Sequence, residues 1–291
     1  MREVVRQGLK FLTGAQNDDG GWGYSPEMPS TVEPTCAVLL ALSTLSAGET
    51  ARQRAVGWLW RAYHEDGSWG IAPDDPEGGW QTAWAVLALT RAGEPPEKLA
   101  ASVEWLLSVK TLRFTDDELQ RDIERILDID PALRGWPWLP GQASWVEPTA
   151  LTMLALAAGP FAPRAAGRLA EAVQYLNDRR CRAGGWNVGN PVMLGAPLPP
   201  RAHPTAWALM ALNAVAPEAI LPRDVAALKE EMHRDGGTSA LALGLMALAH
   251  LGQDDGEARR RLVAAQRDDG SWEHNPYHTA LALMGLRGGR L

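Results

Sequence analysis

Cysteine is nearly absent: Cys36 and Cys181 are the only two in 291 residues. Thiols so far apart give no disulfide framework, so a reducing, cytoplasmic setting is expected. Basic residues are outnumbered, with 28 Lys and Arg against 35 Asp and Glu and a formal charge of −7. Nucleic acids are bound through a basic face, so no nucleic-acid partner is expected. Lys and Arg are scattered, and the run Arg259-Arg260-Arg261 reads as the solvated side of a helix. No apolar run approaches the ~20 residues that span a bilayer. The opening Met1-Arg2-Glu3-Val4-Val5-Arg6 leads straight into a helix, without the apolar core of a signal peptide. Phenylalanine and tyrosine are scarce, at 3 and 4, whereas tryptophan occurs 13 times. Internal repetition accounts for much of that imbalance.

The stretch Gln16-Asn17-Asp18-Asp19-Gly20-Gly21-Trp22 is a turn carrying an aromatic side chain, and Glu33-Pro34-Thr35 then opens an apolar segment to Leu42. The turn returns at His64 to Trp69, Cys181 to Trp186 and Gln266 to Trp272. Weaker versions stand at Arg134-Gly135-Trp136 and Arg234-Asp235-Gly236-Gly237. An apolar segment follows each: Thr82 to Leu89, Thr149 to Leu156, Thr205 to Leu212, Ser239 to Leu248 and Thr279 to Leu286. Repetition with variable loops is the signature of stacked supersecondary units. The preceding segments are amphipathic. Val4, Val5, Gly8, Leu9 and Leu12 form one stripe, and Leu99, Val103, Leu106, Leu107 and Leu169, Ala172, Val173, Leu176 repeat it. Helices apolar all round must be buried, so amphipathic and buried helices in alternation predict two concentric layers. The expected fold is all-α, an α/α toroid of six helical hairpins closed into a ring without a sheet, one domain over residues 1–291. Thr35, Thr82, Thr149, Thr205 and Thr279 should share one end of it. The glycines supply left-handed helix caps. Trp22, Trp69, Trp186 and Trp272 read as staples between repeats.

The third repeat carries an insertion at 111–144. Thr115-Asp116-Asp117-Glu118 is a capping-box pattern for a helix running to about Leu127. Asp128 and Asp130 have the spacing of a magnesium pair, but a helix end before Pro131 is the preferred account; no metal is assigned. The rigid Trp136-Pro137-Trp138 loop reads as a lid or rim.

The Gln-x-x-Asp-Gly-x-Trp turns at Gln16 to Trp22 and Gln266 to Trp272 resemble the repeats of squalene–hopene cyclases and protein prenyltransferase β subunits, and the resemblance covers nearly the whole chain. It implies an α/α toroid with an isoprenoid substrate in the central cavity near the starts of the inner helices. It also leaves room for a peripheral membrane contact. Zinc prenyltransferases carry an Asp-x-Cys and a later His before a Thr. His278-Thr279 resembles the latter, but Gly237 stands where the Cys would be, so a zinc site is not expected. Protonating cyclases carry their acid at the start of an inner helix, and a Glu falls on that position twice, in Glu33-Pro34-Thr35 and Glu147-Pro148-Thr149. The cyclase pattern's other acids are missing.

These positions define the expected site. Glu33 and Glu147 are the candidate catalytic acids. Trp80, Gln81, Trp84, Trp138, Trp145, His203, Trp207, Asp235, Tyr277 and His278 are candidates for substrate binding. For the fifth repeat, Gly236-Gly237 are the expected occupants of the ring of helix starts. Glu and Pro at a helix start also have a purely structural account, since both suit the first turn. A carboxyl stays protonated near neutrality only in apolar surroundings or beside another carboxylate, and Trp-rich walls offer the former. The expected activity is proton-initiated cyclisation, or binding, of a polyprenyl substrate without a cofactor. Paired carboxylates flanked by Trp also describe a glycan cleft, for which Gln81, His203 and Asn190 offer hydrogen bonds.

Overall fold

The computed structural model describes residues 1–289. Its inner layer is α2 (Val32–Thr44), α4 (Gln81–Ala92), α7 (Val146–Ala158), α9 (Ala202–Val215), α11 (Thr238–His250) and α13 (Pro276–Arg287). Each packs on the next in that order, and α13 packs on α2, so the ring is closed. The outer layer is α1 (Arg2–Gly14), α3 (Glu49–Arg61), α5 (Ala100–Ser108), α8 (Ala162–Asp178), α10 (Pro222–Asp235) and α12 (Gly256–Ala264). The helices pair as inner then outer along the chain, except at the seam, where α1 covers the last inner helix α13. Gly8 permits that approach, because a Cβ there would stand 2.9 Å from a Leu283 methyl. Every residue from Pro34 to Leu42, Thr82 to Leu89 and Thr205 to Leu212 is buried, as helices without a polar face require. Among the described residues no helix is long and apolar enough to cross a membrane.

The tryptophan turns hold the two layers together by a recurrent pair of hydrogen bonds. The Trp22 indole donates to the Leu12 carbonyl at the end of α1 (2.8 Å), while its backbone N–H donates to Thr35 Oγ1 on α2 (2.9 Å). Trp69 does the same with Leu59 and Thr82, Trp136 with Leu106 and Thr149, Trp186 with Leu176 and Thr205, and Trp272 with Leu262 and Thr279. Each Thr therefore sits beside the turn entering its inner helix, and all five mark one end of the ring. The fifth repeat has no tryptophan. Counting from the cap residues Thr31 and Gly237, Leu241 stands where the others have Thr, and Ser239 rather than Gly236-Gly237 matches Glu33. With no indole-bearing turn to bind, the hydroxyl has no role there.

The turns also join neighbouring repeats. Gln16 Nε2 donates to the Gly20 carbonyl and to the Ala51 carbonyl of α3; Gln266 Nε2 donates to the Gly270 carbonyl and to the Val4 carbonyl of α1. Gly270 has φ +87°, and a Cβ there would lie 2.5 Å from the Gln7 carbonyl oxygen, so the last turn and first helix close on a glycine.

The insertion forms α6 (Asp117–Leu127), capped by Asp116, whose carboxylate accepts from Leu119 N at 2.8 Å, one residue later than the capping-box reading. One departure from the expected sheet-free ring is a hairpin of β1 (Val192–Met193) and β2 (Ala196–Pro197). Its two-residue turn, Leu194-Gly195, has positive φ at both positions, the geometry that matches strand twist.

Candidate functional site

The inner helices begin together, so the residues two before each Thr, with Ser239 two before Leu241, form a ring at the mouth: Glu33, Trp80, Glu147, His203, Ser239 and Tyr277. Glu33 lies in the first turn of α2, after Thr31 in extended conformation and before Pro34, which suits a helix start. Its carboxylate accepts from the Tyr24 hydroxyl on the loop before α2 and from the Tyr277 hydroxyl on α13. Burial pushes Glu33 up to about 7, the neighbouring charge of Glu147 adds to the rise, and the two phenols and His203 oppose it. Desolvation is the largest of these effects, because burial penalises the charged form. Burial, then the charges of Glu33 and Glu147, raise the Tyr277 phenol well above its ordinary value. Cys36, one turn below Glu33, is fully buried and its thiol is pushed up by burial, which removes it as a nucleophile.

Glu147 occupies the equivalent place on α7 and faces His203 of α9, Oε2 to Nδ1 3.6 Å. Burial alone would depress His203. The Glu147 hydrogen bond and the charges of Glu147, Glu33 and Asp235 together hold it above its usual value. Burial thus favours the protonated form of Glu33, while the carboxylates around His203 favour its imidazolium.

One turn deeper, Trp84 and Trp207 meet at a ring-centroid distance of 5.4 Å and 89°, and Trp84 lies 6.3 Å from Tyr277 at 73°. These residues come from α4, α9 and α13, alternate members of the ring, so their contact spans its interior. Trp84 and Trp207 are 1% and 0% exposed, and neither indole N–H has a partner among the described residues. These rings meet across the axis beneath the helix starts and form the floor of a dish between the helix starts and the rings.

The other expected residues are placed less centrally. Trp80 and Trp138 form an edge-to-face pair at 4.8 Å, fixed by the Trp80 N–H bonded to the Trp138 carbonyl at 3.0 Å, a rim beside the dish. Gln81 is buried and its Oε1 has no partner among the described residues. Trp145 packs on Gly189, where a Cβ would meet its ring at 2.8 Å. His278 Nδ1 is bonded to Glu273 at 2.7 Å, and Asp235 Oδ1 accepts from Gly237 N at 3.1 Å. Asp128 binds Arg182 and Asp130 caps Ala132, so the two carboxylates turn to separate partners. The Asn190 side chain lines a cleft of about 170 Å³ beneath α6, not the dish. Tyr24 escaped the sequence reading. It lies in an irregular loop where periodicity places nothing, and only its closeness to Glu33 along the chain could have pointed to it.

Several large apolar side chains are exposed. Met28, Ile71, Val188 and Leu194 are 49, 56, 58 and 81% exposed, and with Leu112, Leu119 and Met193 they all lie in segments leading into inner helices. The Ile71 and Val188 carbonyls accept from Val32 N and Val146 N, the first residues of the helices that carry Glu33 and Glu147.

No protein-family model matches the sequence, and no curated protein matches it in sequence. Solved structures do share the fold. A protein from Actinoplanes superposes with a TM-score of 0.67 at 19% identity, over 99% of this chain and 98% of that one. A variant of MstE, a type II terpene cyclase from Scytonema solved with its substrate geranylgeranyl dihydroxybenzoate, superposes at 0.69 and 17%, over 99% and 96%. The alpha-2-macroglobulin of E. coli gives 0.53 at 16% over 98% of this chain, but only 17% of that protein. At such identities the likeness carries the fold alone, an all-α toroid of the terpenoid-cyclase type, and that fold serves unrelated proteins.

Proposed function

We propose that the chain works as a single toroid domain of terpenoid-cyclase type, in which Glu33 delivers a proton to an isoprenoid held at the mouth and starts its cyclisation. The observation behind this reading is the setting of Glu33: a carboxyl bonded by Tyr24 and Tyr277 above the Trp84–Trp207 floor, which burial pushes up to about 7. General acids work best when their pKa lies near the operating pH. Glu147, already matched to His203, is the second carboxylate and steadies the positive charge that develops. The indole and phenol faces below favour a passing cation. Because rings close the axis, the isoprenoid lies in the dish and along Trp80 and Trp138 rather than in a deep chamber. This reading requires neither metal nor cofactor. The exposed apolar side chains support a peripheral contact with the membrane in which such a substrate dissolves. Replacing Ile71 and Leu194 by Asp should then abolish co-sedimentation with zwitterionic vesicles.

The direct test is mass spectrometry of organic extracts from the purified protein, together with turnover of geranylgeranyl substrates by wild type, Glu33→Gln and Glu147→Gln. Loss of cyclised product in Glu33→Gln with binding retained is expected, and full activity in both variants refutes the acid assignment. The partial exposure of Glu33, Trp80, Glu147 and His203 favours a second reading, a glycan held between Glu33 and Glu147 against Trp80, with Gln81 and His203 as hydrogen-bonding groups. Release of reducing sugar from polysaccharide mixtures, lost in the same variants, would select it.

A further inference from the structure

A carboxyl that gives up a proton has to recover one before the next turnover, and Glu33 is itself only partly exposed. It faces Tyr24 from the loop before α2, Tyr277 from α13, Glu147 from α7 and His203 from α9, with Cys36 below it on its own helix. Tyr277 is 6% exposed and Cys36 0%. The His203 side chain is 33% exposed but faces Glu147, whereas Tyr24 is 36% exposed and its hydroxyl is bonded to Glu33 Oε2 itself.

Its position is built. A Cβ at Gly23 would stand 2.6 Å from the Met28 carbonyl oxygen, so the loop folds back tightly just before Tyr24. Met28 N–H bonds the Ser25 carbonyl at 3.1 Å, and the Tyr24 ring rests edge-on against Tyr277 at 5.9 Å. The phenol is therefore held on the carboxyl, in a residue that is itself partly exposed.

We infer that Tyr24 is the proton relay that recharges Glu33. The inference rests on the reading of Glu33 as the acid. After Glu33 has protonated the substrate, its carboxylate takes the Tyr24 hydroxyl proton at Oε2 while the phenol oxygen takes one from a solvent water or buffer acid. Tyr24 is neutral before and after, and the net change is one proton from solvent to Glu33. The proton later lost by the cyclised cation returns to solvent, so the cycle balances. Tyr24 acts through Glu33 and need not touch the substrate.

The test compares wild type with Tyr24→Phe and Tyr24→Ala, using no substrate. Infrared spectroscopy after a rapid pH jump follows the Glu33 carboxyl band, assigned as the one missing from Glu33→Gln. In Tyr24→Phe the benzene ring fills the same space without an exchangeable proton, and re-equilibration of the band should slow on the order of tenfold or more. In Tyr24→Ala the vacated space admits water, and the rate should return toward wild type. A merely structural tyrosine would give the opposite order, the smaller side chain doing more harm. Unchanged kinetics in Tyr24→Phe, or Tyr24→Ala as slow as Tyr24→Phe, overturns the relay and leaves the acid standing. If wild type has no band that titrates near neutrality and vanishes in Glu33→Gln, acid and relay fall together.

Discussion

Replacing Glu33 by Gln should change the stability of the ring in a pH-dependent way that can be worked out in advance. In the folded protein the carboxyl is pushed from an ordinary 4.5 up to about 7 by burial. The native state therefore holds this proton through a window in which the unfolded chain has lost it. Where the native state binds more protons, stability falls as pH rises, so Glu33 costs nothing below about pH 4.5 and its full penalty above about pH 7. At about 1.4 kcal/mol per pH unit, that interval corresponds to about 3 kcal/mol. Gln keeps the shape and can still accept from one phenol, but it cannot ionise. Urea denaturation of both proteins at intervals from pH 4 to 8 gives the stability difference, in which every other titrating group cancels to first order. Glu33→Gln should be close to wild type at pH 4 and more stable by about 2–3 kcal/mol at pH 8. A difference that stays flat would mean that the phenols and His203 offset the burial and leave Glu33 an ordinary carboxylate. A difference that runs in favour of wild type with rising pH would mean a preferred anion, and either result refutes the acid.

Two further substitutions probe the scaffold. Thr82→Val keeps the shape of a fully buried side chain but strands the Trp69 backbone N–H now bonded at 3.0 Å. It should cost about 1–3 kcal/mol in urea denaturation, and a loss within error would remove the staple from the argument. Gly270→Ala forces a Cβ to 2.5 Å from the Gln7 carbonyl at φ +87°. A loss above about 3 kcal/mol or a failure to close the ring, seen as an enlarged radius by X-ray scattering, is expected, and an unchanged Tm refutes the close contact.

The ring was legible because its signals are local and repeated. The apolar runs opening at Thr35, Thr82, Thr149, Thr205 and Thr279 and the turns at Trp22, Trp69, Trp136, Trp186 and Trp272 recur whatever loop length separates them. The fifth repeat misled because Trp and Thr were lost together, and only the backbone reveals Ser239 in register with Glu33. The β1–β2 hairpin was missed since two-residue strands carry no period. In the site, the positions of Glu33, Glu147, His203 and Tyr277 followed from helix register alone. What side chains do across the axis did not follow, because contacts between α4 and α9 depend on ring radius, which no linear pattern encodes. Hence the closed Trp84–Trp207 floor was unforeseen, Trp145 proved to face Gly189, and Tyr24 went unnoticed.

The packing of α1 on α13 makes the architecture cyclic although the chain is not. An open array of helix pairs leaves two raw ends that need protecting, and this one leaves none, since the first helix serves as the outer partner of the last. The closure joins segments more than 260 residues apart, as in the Gln266 to Val4 bond, so the final contact has to wait for the whole polypeptide. Until then α1 is an amphipathic helix without a partner, and topology of this kind slows folding. A circular permutant would remove the delay. If the original ends were joined by a flexible linker and new ones opened after Gly93, where a turn is free of close neighbours, α13 and α1 would become an ordinary sequential hairpin. The native ring would be unchanged while its slowest contact became one of its most local.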